Sequence, residues 1–355
     1  MKNMFKRSVL GVAVAAAAMA SVAVQAKPAT DTVDLYGQIA VSVWGGEAEG
    51  DTLNVVNESR FGLRGSIDLE KGPKLFWQME GGNVGDGDAK IKDDSVDTAN
   101  FGFRDTYIGF EFDAGKVRVG RVLTPAYEIV DWPYSGQARG KVFDWVTDVK
   151  GGVNYDRHGD SIRFDSAQFG AVNFSLAAGK GNVTEDGNNF YGAAAHIKAG
   201  PAVFHLGYEL GTDREVTKAV KDDKDTPNDE TVARVGSDTQ LIIAGFEATF
   251  GSFGVHGAYK IMGAEYDDNS ADQDQTAYSV GVSYSMEDWL FRLGYAAQQD
   301  LETGNVKTTA GAEDIVSFDA TYFLDPSAIV YARPYQITRD GESQFGAGVG
   351  VEYYF

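Results

Sequence analysis

Residues 58–69 read ESRFGLRGSIDL, and they contain the pattern that decides the fold. Apolar side chains recur with a period of two, at Phe61, Leu63, Ile67 and Leu69. Charged or small polar side chains stand between them, among them Arg60 and Arg64. A period of two places the two sets on opposite faces of a β-strand. The stretch therefore predicts a strand with one apolar face and one polar face.

The same alternation recurs along the chain, with turn residues between the repeats. In residues 277–286 the apolar series is Tyr278, Val280, Val282 and Tyr284, and residues 344–355 alternate in the same way. Counting such segments predicts about sixteen strands, joined by tight turns and longer acidic loops. The charged stretch 213–237 is expected to be one of the exposed loops.

Short turns that alternate with long loops are typical of an outer-membrane barrel, whose apolar face contacts lipid. Closure is expected because unpaired backbone groups are not tolerated in hydrocarbon. Aromatic residues near strand ends, such as Trp44, Trp77 and Trp289, suit the two membrane interfaces. A secreted β-sandwich is the alternative, although it does not need so many strands. We therefore predict an all-β fold, a sixteen-stranded antiparallel transmembrane β-barrel.

The first 26 residues are predicted to be a secretory signal peptide, followed by one barrel domain at residues 27–355. Lys2, Lys6 and Arg7 precede an apolar run, and residues 24–26 offer small side chains for cleavage. An uncleaved anchor is the alternative, but the apolar run is short for a spanning helix.

Composition limits the classes of partner. The 355-residue chain has 43 glycines, no cysteine and a formal net charge of -21. Removing the signal peptide takes away three of the 31 basic residues and none of the 52 acidic ones, which leaves -24. This balance argues against nucleic acid, which requires clusters of Lys and Arg. It favours attraction of cations wherever the charge lines a confined space.

Residues 124–150, TPAYEIVDWPYSGQARGKVFDWVTDVK, form the long mid-chain segment that lacks the strand pattern. Trp132 and Trp145 stand there among Glu128, Asp131, Asp144 and Asp148. Loops of this length are usually functional or disordered, and disordered segments are poor in aromatic residues. We therefore predict that segment 124–150 folds into the barrel and narrows its bore.

Four stretches resemble the general trimeric porins of Gram-negative bacteria. They are DLYGQ at residues 34–38, ESRFGLRGSIDL at 58–69, FRDTYIGFEFDAGKVRVGR at 103–121 and the terminal YYF. The resemblance implies a homotrimer in the outer membrane, with a third extracellular loop folded inward as a constriction. It also implies contacts with lipopolysaccharide and outer-membrane lipid. Tyr353 and Phe355 resemble the assembly signal that the barrel-assembly machinery reads.

By the same resemblance, arginines on the barrel wall face acidic residues of the segment across the pore. The matching wall positions are Arg60, Arg64 and Arg121, and Lys150 is a further candidate, with Asp148 as the other. Opposed charges and the width of the gap decide which solutes pass. The alternative is that these residues are ordinary strand and loop charges. The Pro-Glu-Phe-Gly-Gly motif typical of enterobacterial members is missing from the segment.

The sequence therefore predicts a passive diffusion channel for small hydrophilic solutes and ions, with a mild cation preference and no cofactor. The alternative is a saccharide-selective channel of the chitooligosaccharide type, with sugar rings stacked on Trp132 and Trp145. Otherwise the two tryptophans pin the segment to the wall. An enzyme would need a nucleophile beside a histidine such as His196 or His205, and no such motif is recognisable. The acidic loops lack the ligand spacing of a calcium site, so no metal is expected.

Overall fold

The computed structural model describes residues 33–82, 104–134, 140–144, 148–150, 157–180, 189–221, 230–268, 270–307 and 311–355. The signal peptide predicted at residues 1–26 lies outside the described residues. Trp145 and the side chain of Trp132 lie outside them as well. The predictions made for these positions stay predictions.

Strands dominate the described chain. They are β1 (Val33–Gly45), β2 (Asn54–Asn57), β3 (Arg60–Ile67), β4 (Lys74–Gly82), β5 (Thr106–Phe112), β6 (Gly115–Leu123), β7 (Arg157–Ser166), β8 (Val172–Lys180), β9 (Asn189–Ala199), β10 (Ala202–Lys221), β11 (Glu230–Phe250), β12 (Phe253–Tyr266), β13 (Gln273–Met286), β14 (Trp289–Gln298), β15 (Glu302–Thr303), β16 (Val306–Lys307), β17 (Glu313–Asp325), β18 (Ala328–Arg339) and β19 (Glu342–Tyr354). The helical stretches among the described residues are a 3₁₀ turn (Glu47–Glu49), helix α1 (Pro125–Ile129) and a π-helical turn (Val130–Tyr134). In this part of the chain, no helix has the length and apolarity needed to cross a membrane.

These strands form one closed antiparallel sheet. β1 pairs with β19, with Val41 opposite Val351, and this pairing closes the sheet. β2 and β3 follow one another across residues 58–59, and β15 and β16 form a small hairpin in the connection from β14 to β17. The result is a barrel of sixteen strands. The predicted fold class is confirmed.

The alternation of the sequence sets the two faces of the barrel. In β13, Val280 and Val282 are about half exposed, whereas Ser279 between the apolar positions is fully buried. In β19, Val349 is exposed on the outer side, whereas Gly348 faces inward against the ring of Trp44. Exposed apolar side chains on the outer face are typical of a surface that contacts lipid.

The prediction of an exposed loop at residues 213–237 is wrong for residues 213–221 and 230–237, which are strands, whereas residues 222–229 lie outside the described residues. β10 continues to Lys221 and β11 begins at Glu230, and the two stay paired over this length, with Val216 opposite Val235. A register shift between Gly211 and Arg214 marks an irregularity in the ladder. The stretch is rich in charges, but its valines and threonines have high β-propensity, and pairing with the partner strand decides the conformation.

The largest buried side chains lie on the inner face of the barrel and on segment 124–150. They include Trp44, Ile129, Tyr134, Phe143, Leu241, Ile243, Met262, Ile315 and Ile337. Wall residues and segment residues therefore share one apolar core.

Candidate pore constriction

Segment 124–150 leaves β6 as a helix and not as a strand. The Thr124 hydroxyl accepts a hydrogen bond from the backbone N–H of Tyr127 at 3.2 Å, and Pro125 occupies the start of the helix. Both features are typical of a helix N-terminus. The π-helical turn that follows contains Pro133, which cannot donate a backbone hydrogen bond. The local sequence therefore ends the strand pattern at Thr124.

The first part of the segment, residues 125–134, packs against the inner face of β10 and β11. Ala126, Ile129 and Tyr134 are buried. A Cβ on Gly207 would lie 3.1 Å from Ile129 Cδ1, and a Cβ on Gly245 would lie 2.5 Å from the ring of Tyr134. These two glycines leave the space in which the segment sits, because glycine permits close approach.

Tyr134 is the last residue of this first part. Its backbone carbonyl accepts a hydrogen bond from Ser279 Oγ of β13 at 2.8 Å. Its ring lies edge-on to that of His205 with centroids 6.0 Å apart. Burial raises the pKa of the Tyr134 hydroxyl, and the nearby Glu247 carboxylate adds to this effect. Tyr134 therefore stays neutral at physiological pH.

A buried lysine holds the middle of the segment. Lys260 of β12 is fully buried, and its Nζ donates to the backbone carbonyl of Phe143. The same ammonium lies 4.9 Å from the centre of the Phe143 ring, and the Asp144 carboxylate acts on it electrostatically. A buried ammonium is tolerated only with such partners. Lys260 therefore fixes the segment to β12.

Lys141 connects the segment to another sector of the wall. Its Nζ donates to Glu49 Oε1 at 2.6 Å and to the hydroxyl of Tyr335 at 3.1 Å. Tyr335 lies on β18, and Glu49 lies between β1 and β2. The segment therefore contacts sectors of the barrel that β13, β14 and β17 separate from β12.

Three wall glutamines hold the end of the segment. The side-chain oxygens of Gln275 and Gln273 accept hydrogen bonds from the backbone N–H groups of Asp148 and Lys150, each at 2.8 Å. Gln275 and Gln298 donate to the Asp148 carboxylate at 2.9 and 3.2 Å. Lys150 is exposed at the end of the segment and precedes the wall strand β7. Asp148 is thus a wall contact of the segment.

Arg60 and Arg64 lie on the inner face of β3. Arg64 is exposed, with its guanidinium 4.8 Å from the centre of the Tyr36 ring and 3.9 Å from the Asp34 carboxylate. Arg60 is partly buried at the start of the strand. Both guanidinium groups belong to the polar face that the sequence alternation predicts.

Val119 of β6 pairs with Ile108, and both side chains are about half exposed on the lipid side. Arg121 pairs with Thr106, but the pairing of β6 with β7 shifts register between Gly120 and Val122, so strand parity does not carry over to Arg121. The pore-wall position of Arg121 stays a prediction. Arg118 is one residue before Val119, so its side chain lies on the opposite, inner face of β6. Its guanidinium lies 5.4 Å from the centre of the Tyr107 ring, and its Nη2 donates to Asp165 at 2.6 Å. Arg118 is therefore an inner-wall arginine, which the motif comparison did not single out.

The acidic residues of the segment lie in different environments. Glu128 is half exposed and forms an ion pair with Arg163, which is almost fully buried on β7. Asp131 is exposed. Asp144 is buried and accepts a hydrogen bond from the Tyr127 hydroxyl at 3.4 Å. Glu128 and Asp131 therefore present charge to solvent, whereas Asp144 does not.

Several inner-wall ion pairs do not follow from the sequence alone. They are Arg104 with Glu80, Arg157 with Asp105, Arg118 and Arg163 with Asp165, and Arg292 and Arg333 with Asp319. For those paired residues that lie on strands, the alternation of polar and apolar side chains could have indicated that they face the inside of the barrel. Their partners lie on other strands or connections, which the sequence does not specify.

Tyr353 and Phe355 end the outer face of β19. Both are about half exposed, and their rings stack with centroids 6.1 Å apart. The backbone of Phe355 exchanges two hydrogen bonds with Gly37, at 2.9 and 3.1 Å. The aromatic C-terminus is therefore accessible at the closing edge, and its recognition by the assembly machinery stays a prediction.

Comparisons with known proteins agree with this architecture. The family of Gram-negative porins matches residues 8–342. A chitoporin of Vibrio furnissii is 35% identical over 382 aligned residues, which cover 100% of both chains. An anion-selective porin from Comamonas acidovorans matches with a TM-score of 0.68 at 19% identity, over 91% of this chain and 99% of that chain. The trimer form of OmpT from Vibrio cholerae matches with a TM-score of 0.64 at 18% identity, over the same shares.

The two structural matches establish the fold, and the family match together with the chitoporin relative establishes the family. The chain belongs to the Gram-negative porins and is a passive outer-membrane channel protein, not an enzyme.

Proposed function

We propose that segment 124–150 is an inward-folded extracellular loop, and that small hydrophilic solutes and ions diffuse past it. The observation that carries this proposal is the pair of lysine contacts. Lys260 ties the segment to β12, whereas Lys141 ties it to Glu49 and to Tyr335 of β18. A segment bonded to separate sectors of one inner face lies across the bore. The width of the remaining gap then limits solute size.

The charges beside this gap set its ion preference. Glu128 and Asp131 belong to the segment, whereas Arg60, Arg64 and Arg118 belong to the inner face of β3 and β6. Opposed charges produce a transverse field in which ions and polar solutes orient. A mild cation preference follows from the surplus of acidic residues, 52 against 31 basic ones in the whole chain.

Reversal potentials in a planar bilayer test this proposal. Purified protein is recorded across a salt gradient, alongside the double variant Glu128→Lys, Asp131→Lys. We expect the reversal potential of the double variant to move toward that of an anion-preferring channel. Asp51→Lys, at an exposed position between β1 and β2, is the matched control and should leave it unchanged. An unchanged reversal potential in the double variant contradicts the proposed role of these acids.

We further propose that the channel is a homotrimer in contact with lipopolysaccharide and lipid, inserted by the barrel-assembly machinery. The apolar outer face and the likeness to a porin solved as a trimer support this assembly. Native mass spectrometry in detergent should give three copies of the mature chain. A mass of one copy under conditions that keep the barrel folded contradicts the trimer.

A saccharide-selective channel is the second candidate. Full-length 35% identity to a chitoporin favours it. If it is correct, micromolar chitooligosaccharide will block the open current transiently, and Trp132→Ala will abolish the block. Trp289→Ala, on the outer face of β14, is the control that should retain it. Current without block at any sugar concentration leaves the general diffusion channel as the function.

A further inference from the structure

A cavity of about 140 Å³ lies in the inner wall of the barrel, beside Pro133 of the segment. Its other walls come from β11, β12, β13, β14 and β17. Two-residue turns at 251–252, 287–288 and 326–327 join β11 to β12, β13 to β14 and β17 to β18 close to the cavity. Short turns lie on the periplasmic side of outer-membrane barrels. The cavity is therefore on the periplasmic side of the segment.

Inward-facing residues on neighbouring strands form the floor of this cavity. Successive cross-strand partners are Glu247 and His256 in one row, and Ser283, Arg292 and Asp319 in the next row toward the turns. Glu247 on β11 and Arg292 on β14 lie three strand spacings, or about 14 Å, apart along the wall. Both side chains line the same cavity, so their charged groups face one shared space. The cavity therefore has a carboxylate on one side and a guanidinium on the other.

The guanidinium side of the cavity carries a net positive charge. Arg292 Nη2 donates to Asp319 Oδ2 at 3.0 Å, and Arg333 Nε of β18 donates to the same oxygen. The other oxygen, Asp319 Oδ1, accepts a hydrogen bond from the Thr321 hydroxyl at 2.6 Å. One carboxylate is thus shared by two guanidinium groups. One positive charge remains to attract an anionic group, and Ser283 beside Arg292 adds a hydroxyl donor.

The opposite side of the cavity carries a negative charge. The Glu247 side chain is 43% exposed, and His205 Nε2 lies 3.6 Å from its Oε1 atom. That distance is too long for a hydrogen bond. The Glu247 carboxylate can therefore accept hydrogen bonds from a cationic group in the cavity.

We propose that this cavity binds a small zwitterion, a free amino acid or a dipeptide with an apolar side chain. The ammonium group binds Glu247, and the carboxylate binds Arg292 and Ser283. The apolar side chain packs on Pro133 and on Leu290, which is two residues before Arg292 on the same face of β14. The volume has room for roughly ten water molecules, which suits a solute of the size of leucine. This inference rests on the proposed channel, because the solute reaches the cavity through the lumen.

Saturation-transfer NMR titrations on the detergent-solubilised wild-type protein test the proposed chemistry. L-leucine and glycyl-L-leucine are the two zwitterions, and the tighter binder of the two identifies an amino-acid or a dipeptide site. N-acetyl-L-leucine lacks the ammonium group, and L-leucinamide lacks the carboxylate. Each should bind about tenfold more weakly than leucine or less tightly still, because one charge-assisted hydrogen-bonding group is missing.

Single substitutions assign the two charges to their residues. Glu247→Gln should lower the affinity for leucine to that for N-acetyl-leucine, and Arg292→Gln should lower it to that for leucinamide. Glu111→Gln and Lys116→Gln are the matched controls. They remove charges from the inner wall near the short turn between β5 and β6, away from the cavity, and should leave binding unchanged. Circular dichroism and heat-modified migration on gels confirm that each variant is folded.

The outcomes separate this inference from the proposed function. Equal binding of leucine and its two blocked analogues to the wild-type protein overturns the zwitterion site, and so does unchanged binding in both cavity variants. Recordings across a salt gradient on the same samples report the channel independently. Current without binding leaves the channel function standing and overturns the site. Binding without current supports the site, whereas the proposed diffusion function fails.

Discussion

Two sectors of the inner wall use the same strand pattern for different purposes. On β10, β11 and β13, several positions that face the segment carry small side chains or none, as at Gly207, Gly245 and Ser279. On β3 and β6, the equivalent positions carry arginines, as at Arg64 and Arg118. The first sector accepts the backbone of the segment, whereas the second offers charge to solutes. The size and charge of alternate residues therefore decide where the loop lies and where selectivity arises.

The largest effect is expected when the buried ammonium of Lys260, which holds the segment to β12, is removed. Lys260→Met removes the ammonium but leaves Asp144 buried and the Phe143 carbonyl without this donor. Breaking a buried pair by removing one partner costs about 3–5 kcal/mol. Thermal unfolding in detergent should show a clearly lowered midpoint, and the single-channel current should become noisier.

The control for this experiment is Lys116, an exposed lysine that forms an ion pair on the inner wall. Lys116→Met removes an exposed pair with Glu111 on the inner wall, 3.3 Å apart. Such pairs contribute roughly 0–1 kcal/mol, so the unfolding midpoint should barely move. Equal destabilisation by Lys260→Met and Lys116→Met would contradict the special role of the buried lysine that holds the segment.

The second prediction fills the space that seats the segment. Gly245→Leu places a side chain where the Tyr134 ring now lies, because a Cβ alone would come within 2.5 Å of it. Overpacking of this kind costs about 1–3 kcal/mol. The double variant Gly245→Leu, Tyr134→Ala should recover part of this loss, which a double-mutant cycle of unfolding free energies can measure. Additive losses would show that Gly245 does not act through Tyr134.

The third prediction concerns the bridge to β18. Lys141→Met removes a partly exposed contact with Glu49 and Tyr335, so we expect a loss of about 1 kcal/mol or less. The current should fluctuate more, because this bridge holds the segment across the bore. Glu49→Gln should give the same noise, and the double variant should add nothing further. Quiet wild-type-like current in both single variants would show that the bridge is dispensable.

The smallest expected effect is a change in ion selectivity, caused by removing an arginine from the inner face of β6. Arg118→Gln removes a positive charge from the inner face and should shift the reversal potential toward cations. Lys71→Gln removes a positive charge from the exposed turn between β3 and β4 and should leave the reversal potential unchanged. An equal shift in the two variants would contradict the role of Arg118 in ion selectivity.

The fold could be predicted from the sequence because it depends on a local signal. Alternation at positions such as Val280 and Val282 identifies each strand, and sixteen amphipathic strands leave few architectures available. Residues 213–237 escaped prediction because composition suggested a loop, whereas pairing between β10 and β11 is decided by the partner strand.

The candidate site was less predictable because its contacts are distant in sequence. Segment 124–150 could be singled out by its length and aromatic content. That Lys141 meets Glu49 and Tyr335, or that Lys260 meets Phe143, depends on how the closed barrel brings them together. Arg121 was chosen from a motif, and the register shift between Gly120 and Val122 interrupts the strand parity that Val119 sets.

Selective labelling of the segment tests most directly whether it narrows the bore. The chain has no cysteine, so Asp131→Cys introduces a single reactive thiol at an exposed position of the segment. A bulky thiol reagent added to the open channel should reduce the single-channel conductance by about half or more, because the constriction limits the current. Complete labelling, verified by mass spectrometry, with unchanged conductance would contradict the account.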